Sequence, residues 1–313
     1  MKVLVTGGTG YIGTELVKRL TLEPEVSEVV VYDNLARETY GLFFTKLDRP
    51  DKISFKFGDI LDSRKLRAVL RGVDVVYHLA ARVSTPFSKE DSHLFEQVNH
   101  WGTAELSYLI ENSDVQKVIY TSSASVYGFS DEPVSEAAIP RPATHYGISK
   151  LNGEKVLTRL KDRNVLILRC GNVYGHGSCL RFDAVINRFL FEAHYYNRIS
   201  IAGDGGQYRS FVHIDLLTET LAQLLTQDLR SDVYNLTHIN LTIEEIAKTL
   251  RNIYPGLESL YIEQDLQLRS LLVEQNPVLK KLFAPLVVPL KQQLVEFKSK
   301  FSFHGLKQKS VTQ

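Results

Sequence analysis

Thr6-Gly7-Gly8-Thr9-Gly10-Tyr11-Ile12-Gly13 follows the apolar run Val3-Leu4-Val5, so glycines fall where a buried strand turns sharply into a helix. This order makes a phosphate cradle. Gly7 allows the tight turn, Gly10 lets backbone N–H groups approach a pyrophosphate, and Gly13 lets the helix pack closely, with its positive end toward the anion. A second strand, Glu28-Val29-Val30-Val31-Tyr32, ends in Asp33. A carboxylate there accepts from a ribose 2′-OH and repels a 2′-phosphate, which favours NAD over NADP.

Outward from this motif, strand-like runs recur at Val3–Val5, Val29–Tyr32, Ile53–Phe57, Val75–Leu79, Val118–Thr121 and Val165–Leu168. Segments with helical periodicity, such as Ser63–Arg71 and Gly102–Asn112, separate them. Strands alternating with helices predict a parallel sheet, and right-handed crossovers place helices on both faces. The expected fold is α/β: a doubly wound parallel (Rossmann) sheet whose ligands bind beyond the carboxyl ends of the strands, with a smaller C-terminal substrate-binding lobe. Asp59-Ile60 after the third strand is placed to meet the adenine edge, and Leu79-Ala80-Ala81 after the fourth offers small residues against the cofactor. From about Gly171 the alternation fades, and Gly175, Gly177, Gly203, Gly205 and Gly206 mark loops before a C-terminal third expected to be helical. The expected division is a dinucleotide-binding part over residues 1–170 with a return segment near 211–237, and a second lobe from 171–210 and 238–313.

At 313 residues, 44% of them hydrophobic, the chain can bury a core large enough for both parts. The formal net charge of +1, with both signs interspersed, excludes a global field for nucleic acid or an anionic membrane. No apolar stretch reaches the roughly 18 residues that span a bilayer, and the first strand begins at Lys2, so a cytoplasmic protein without a signal peptide is expected. Cys170 and Cys179 lack metal-ligand spacing and the histidines form no paired helical motif, so free thiols and no metal are expected.

The chemistry lies after the fifth strand, in Thr121-Ser122-Ser123-Ala124-Ser125-Val126-Tyr127-Gly128, and at Tyr146-Gly147-Ile148-Ser149-Lys150, which opens a helical segment. Tyr146 and Lys150 share a helix face, so the ammonium is expected near the phenol, drawing its pKa from about 10 toward working pH. A tyrosinate is then a general base for a secondary alcohol that loses hydride. Ser123 would hydrogen-bond the same oxygen, and Lys150 would also hold the cofactor ribose.

Thr6-Gly7-x-x-Gly10-x-x-Gly13, Asp33, Asp59-Ile60, His78-Leu79-Ala80-Ala81, Ser122–Gly128 and Tyr146-x-x-x-Lys150 together resemble the extended short-chain dehydrogenases/reductases, in particular the NAD-dependent sugar epimerase/dehydratase family, over roughly residues 1–240. The resemblance implies Ser123, Tyr146 and Lys150 as the catalytic triad. It implies an NAD site formed by Gly7, Gly10, Tyr11, Ile12, Gly13, Asp33, Asn34, Asp59, Ile60, Leu79, Ala80 and Ala81 with Tyr146 and Lys150. Asn99 resembles the family asparagine that supports the active site and is grouped with the cofactor residues; a helix cap is its other reading.

In the second lobe, Arg169-Cys170-Gly171-Asn172-Val173-Tyr174-Gly175 resembles the family stretch whose asparagine meets the diphosphate of a nucleotide sugar. Arg209-Ser210-Phe211-Val212-His213-Ile214-Asp215 resembles its arginine-bearing return segment, and a guanidinium fork suits a diphosphate. Arg269 lies near the expected place of another family arginine, so the implied substrate contacts are Ser123, Ser125, Asn172, Arg209 and Arg269. His176 and Cys179, in the loop after Asn172, are further candidates to touch the sugar. Cys170 reads as core packing and His213 as a structural hydrogen bonder.

Family dehydratases carry an Asp-Glu pair after the position of Ser123, and decarboxylases carry a glutamate near that of Ser125; here Ala124 and Ser125 stand. The resemblance therefore implies a nucleotide-sugar 4-epimerase with retained NAD, first of all for a UDP-sugar. A 4-ketosugar reductase using exchangeable NAD(P)H is the alternative. The intact Tyr146 and Lys150 argue against a non-catalytic NAD-sensing regulator. Relatives pair through two helices, which implies a homodimer through Leu94–Asn112 and Tyr146–Leu160; Leu106, Leu109, Ile110, Val156 and Leu160 are apolar positions there, and burial within one subunit is their equal alternative reading.

Overall fold

The near-continuous apolar runs are strands buried on both faces, as a parallel sheet between helix layers requires. The computed structural model describes residues 1–83, 92–263, 268–283 and 287–303; the end of the expected second lobe, 304–313, lies outside them. In chain order the first strands are β1 (Lys2–Thr6), β2 (Glu28–Asp33), β3 (Ile53–Phe57), β4 (Val75–His78), β5 (Lys117–Ser123), β6 (Ser130–Val134) and β7 (Asn164–Cys170). Beyond them come β8 (Asn172–Tyr174), β9 (Arg198–Ala202), β10 (Tyr208–His213), β11 (Asp232–Leu236), β12 (Ile239–Thr242), β13 (Glu258–Ile262) and β14 (Leu271–Val273). Seven form one sheet in the order β3-β2-β1-β4-β5-β7-β11, with every neighbouring pair parallel. The winding reverses between β1 and β4, and the crevice at their carboxyl ends is where such a sheet receives a ligand.

Alternate residues of the strands feed two separate cores. Val3, Val5, Val29, Val31 and Leu168 pack with Leu16 and Leu20 of the helix Tyr11–Leu20 and with Leu217 and Leu221 of the helix Ile214–Gln223. Leu4, Val30, Val76, Val118 and Ile167 pack on the other face with Leu66, Leu106, Ile110 and Leu157. Of the two readings of Leu106, Leu109, Ile110 and Leu160, an intersubunit face or the core of their own subunit, the fold takes the second: they are at most 5% exposed.

Two expectations change. The strand β11 was not among the six apolar runs, because it is an edge strand with only β7 beside it and its first two residues are not buried. The C-terminal third is mixed rather than helical: β12 precedes the helix Ile243–Arg251, and β13 and β14 precede the helices Pro277–Phe283 and Leu290–Lys298. These strands are three to five residues long and take remote partners, β13 with β9 and β14 with β6, so local periodicity carries no trace of them. The helices Val185–Tyr196, Ile243–Arg251 and Leu290–Lys298 enclose a third core built on Phe189, Ile199, Ile201, Ile246 and Leu294.

His78, at the end of β4, is fully buried between Thr6 Oγ1 (2.7 Å) and Thr103 Oγ1 (2.9 Å) and stacks on Tyr120. Burial, with the charge of Lys150 adding to it, pushes the imidazole down to about 3. The folded imidazole stays neutral while the unfolded one takes up a proton below its ordinary value of about 6.5. Its contribution to stability is therefore complete above that value and is lost as pH falls toward 3, by up to about 1.4 kcal/mol per pH unit. The expected result is a thermal midpoint that drops between pH 6.5 and 4, with a shallower drop in His78→Gln; equal slopes in melts of the two proteins would remove His78 as the cause.

Candidate active site

The glycine turn joins β1 to the helix Tyr11–Leu20. Gly7 has φ +72°, and a Cβ there would lie 2.6 Å from Ala80 N, so only glycine fits between the turn and the end of β4. A Cβ at Gly13 would lie 2.3 Å from Gly7 O, so that glycine lets the helix sit on the turn itself. The helix begins at Gly10 with no side-chain cap and no acidic residue in its first turn. Its first N–H groups and the positive end of its dipole therefore face the crevice, which suits a pyrophosphate. Asp33, at the end of β2, accepts from Thr9 N (3.1 Å) and Leu35 N (2.9 Å), which fixes its carboxylate beside the turn. Asn34 donates to Asp59 Oδ2 at 2.7 Å, closing the same rim.

These groups line a single cavity of about 1140 Å³ that runs from the glycine turn to the second lobe. Pockets for one small ligand are typically about 300–1,000 Å³; this one has room for a dinucleotide and a substrate end to end. Its wall includes every candidate residue read from the sequence except Asn99, His176 and Cys179. Uncapped helix amides, a glycine cradle and an acid at the end of β2 fit a dinucleotide with a free ribose 2′-OH. Tyr11 lines the wall, but its hydroxyl donates to Gly175 O at 2.6 Å and thereby ties the cradle to the second lobe.

The three exceptions have physical reasons. Asn99 is not a helix cap and does not reach the cavity: it lies mid-helix, in the π-helical turn Glu96–Trp101, and is 1% exposed. Its amide accepts from Arg82 N (2.8 Å) and donates to Arg82 O (2.9 Å) and Ser149 Oγ (3.0 Å). Asn99 thus clamps the loop after β4 to the helix His145–Leu157, which makes it a positioning residue. His176 packs edge-on against Phe297, and Cys179 is buried with its thiol 3.4 Å from Thr14 Oγ1. His213 accepts from Asp215 N at 3.3 Å and caps its helix. Cys170 lines the cavity, but burial pushes its thiol up to about 12, so it stays protonated.

At the centre stand Ser123, Tyr146 and Lys150. Thr144 caps the helix His145–Leu157 by accepting from Gly147 N at 3.0 Å, which sets Tyr146 in the first turn and Lys150 one turn later. Ser123 ends β5 and accepts from Ser125 Oγ (2.9 Å) and Ser125 N (3.2 Å). The expected pairing of ammonium with phenol is not what the fold builds. Lys150 Nζ donates to Thr121 O at 2.8 Å and lies over the Tyr120 ring, and burial draws it down to about 8. Burial also holds the Tyr146 phenol above its ordinary value; Arg181, hydrogen bonding with Ser123, and Arg37 act the other way.

The sequence reading missed the group that sets this geometry. Glu154, the third member of the series Tyr146, Lys150, Glu154, meets Arg169 of β7 in a two-pronged ion pair, Nη2–Oε2 2.7 Å and Nε–Oε1 3.1 Å, with both side chains about 5% exposed. Ser122 Oγ donates to the same carboxylate, and Arg169 lies over the Tyr127 ring. The helix His145–Leu157, β5 and β7 are thereby joined next to Ser123 and Lys150. The i+4 spacing was the available signal; the arginine ending an apolar strand was its counterpart.

Toward the second lobe, Asn172 donates to Ser210 O (3.1 Å), and Arg209 donates to Arg269 O (2.7 Å) and Tyr208 O (2.8 Å). Burial alone draws the Arg209 guanidinium down, and Arg269 lies over the Phe129 ring. A half-buried cation in a cavity wall suits an anionic ligand.

The profile of the NAD dependent epimerase/dehydratase family matches residues 3–237. The chain is 30% identical over 259 residues to a dTDP-D-glucose 4,6-dehydratase of Mus musculus, covering 80% of this chain and 72% of the relative. It is 34% identical over 225 residues to a UDP-glucose 4-epimerase of Mycolicibacterium smegmatis, covering 69% and 70%. The crystal structure of UDP-glucuronic acid 4-epimerase from Bacillus cereus, in complex with UDP-glucuronic acid and NAD, superposes with a TM-score of 0.82 at 27% identity, over 96% of this chain and 98% of that one. The glycine cradle, the parallel sheet and these matches agree: the chain is an enzyme of the NAD-dependent epimerase/dehydratase family, and NAD is its cofactor.

Proposed function

We propose that this enzyme is a nucleotide-sugar 4-epimerase. The observation that carries the reading is the turn Ser123–Gly128, which presents Ser123 and Ser125 to the cavity and no carboxylate. Among the described residues the carboxylates on the cavity wall are Asp33, Asp59 and Asp183. Each is engaged elsewhere: Asp33 with the glycine turn, Asp59 with Asn34 and Leu61 N, and Asp183 with Arg181. Elimination of water needs a base at one carbon and an acid at the next, and no such pair stands near Tyr146.

NAD, when bound, supplies acceptance and return of a hydride at C4 and a positive charge on its oxidised ring. Tyr146 takes the proton of the C4 hydroxyl as the sugar is oxidised and returns it when the opposite face is reduced. Ser123 hydrogen-bonds the same oxygen and favours the ionised phenol. Lys150, braced on Thr121 O, adds a cation beneath the pocket floor. Asn172 and Arg209 hold the diphosphate.

Purified enzyme incubated with UDP-, dTDP- and GDP-sugars in D2O, without added cofactor, is expected to invert one of them at C4 with no deuterium on any ring carbon, followed by NMR. A 4-keto-6-deoxy product carrying deuterium at C5 would establish a dehydratase instead, and conversion of 4-keto sugars only when NAD(P)H is added would establish a reductase. Asp33→Ala is expected to weaken NAD binding about ten- to a hundredfold by loss of a charged hydrogen-bond acceptor; unchanged affinity in a fluorescence titration would remove the ribose assignment.

The chain is proposed to pair as a homodimer through the two expected helices, by exposed residues on them and not by the buried Leu106, Leu109, Ile110 and Leu160. Trp101 and Tyr108, seven apart, are 56% and 57% exposed, and Ile148 on the adjoining helix is 41% exposed. Sedimentation equilibrium is expected to give twice the chain mass for the native protein and the single mass for Trp101→Glu/Tyr108→Glu.

A further inference from the structure

Tyr120 lies on β5, the strand that ends in Ser123, and is fully buried; it is not part of the cavity wall. Its ring stacks on His78 of β4, centroids 5.3 Å apart, and the ammonium of Lys150 lies over it, 4.6 Å from the centroid. Neighbouring groups fix the position of the ring. A Cβ at Gly153 would lie 2.6 Å from the Tyr120 hydroxyl and 3.0 Å from Asn99 O, so this glycine of the helix His145–Leu157 leaves the notch that receives the end of the ring. A glycine inside a helix is otherwise unfavourable, and the ring accounts for this one. His78 is held in turn by Thr6 and Thr103.

Lys150 is 2% exposed, so its charge has lost nearly all of its water. An ammonium carries three donor protons. Thr121 O takes one of them at 2.8 Å, and among the described residues no carboxylate bonds to the other two. Glu154, one turn later, favours the ammonium by its charge, but its oxygens are taken by Arg169 and Ser122. Burial keeps the protons on Tyr146, one turn earlier, and on Cys170 of β7, and it keeps His78 neutral. What stands against the ammonium is the negative π face of Tyr120. We propose that Tyr120 is a positioning residue for the reaction: its ring seats the Lys150 ammonium, so that Thr121 O and the π face take two of the N–H groups and the third is left for the cavity that Lys150 lines. This rests on the role given to Lys150 in the proposed reaction and extends it to a side chain behind the wall.

The ring favours the charged form of the lysine; burial opposes it and draws the group down to about 8. Without the ring the ammonium gives up its proton at a lower pH still. The loss of a desolvated cation–π contact corresponds to about a tenfold change in the ionisation constant, or about one pH unit. Tyr120→Leu keeps an apolar side chain in the core but removes the π face, whereas Tyr120→Phe keeps the face.

The test follows the purified native enzyme and these two variants across about pH 6 to 10 in two ways. One is labelling of Lys150 by acetic anhydride, which acetylates only the neutral amine, read by peptide mass spectrometry. The other is turnover of the sugar identified in the D2O panel. In Tyr120→Leu the labelling midpoint and the alkaline limb of turnover are both expected to fall by about one pH unit, and in Tyr120→Phe both are expected to return to the native position. A role in packing alone lowers turnover by one factor at every pH and leaves the labelling midpoint in place; that result overturns the proposal, as does a midpoint that rises. A midpoint that falls while the alkaline limb stays also overturns it, because the charge of Lys150 then takes no part in turnover. Absence of turnover with every sugar of the panel overturns the nucleotide-sugar reading instead, and the labelling midpoint then decides by itself whether Tyr120 seats the ammonium.

Discussion

Tyr146→Phe is expected to lower turnover by about a hundredfold to ten-thousandfold while the protein still carries NAD. The size follows from the proton that must move, since without the hydroxyl no group on the wall beside Ser123 takes the C4 proton as hydride leaves. Ser123 accepts from Ser125, and Lys150 donates to a backbone carbonyl. Cofactor is retained because the glycine turn, Asp33 and the helix Tyr11–Leu20 lie apart from the phenol and are built by other contacts. Turnover is read by NMR on the sugar identified in the D2O panel, and NAD by its release on denaturation. Full activity in the variant would end the assignment of Tyr146 as the base; loss of NAD together with activity would show that the ring holds the cofactor site together rather than moving a proton.

The largest expected effect on stability belongs to the ion pair of Glu154 and Arg169. Removing one partner of a buried pair leaves an uncompensated charge, and Arg169→Met or Glu154→Leu is expected to cost about 3–5 kcal/mol. Solvent cannot replace the lost partner, because the two side chains are 6% and 5% exposed. The double variant is expected to lose less than the sum of the two and to keep a deficit of about 1–3 kcal/mol, since Ser122 Oγ then has no acceptor. Urea unfolding of the four proteins measures this directly; additive losses would show that the two residues do not act as a pair. The same contacts tie the helix of Tyr146 to β5 and β7, so single variants that remain folded are expected to turn over more slowly.

Much of this was legible in the chain because it depends on spacing within a few residues. A glycine turn after an apolar run, an acid closing the next strand, and Tyr146 and Lys150 on one helical face are local patterns, and each maps onto the cavity wall. The near-continuous apolar runs were legible as strands because burial on both faces removes polar alternation. β11, β13 and β14 were not, since they are short strands that pair with partners remote in sequence, which local periodicity does not record. Asn99, read as a support of the active site and grouped with the cofactor residues, lies behind the cavity wall rather than in it, because its side chain is taken up by Arg82 and Ser149.

Sequence alone determined the fold class, the cofactor and the family, because backbone turns, helix faces and strand ends follow from residue order and elementary sterics. Tertiary structure decided the electrostatics. The i+4 spacing brought Lys150 to the same face as Tyr146, but packing sent its ammonium to Thr121 O, and burial raised the phenol that the spacing alone would have lowered. It likewise decided that Glu154 meets Arg169 and that the Tyr120 ring lies against the Lys150 ammonium. The physical reason is common to all three: desolvation and the pairing of buried polar groups depend on which distant segments close over a side chain, and no local pattern contains that.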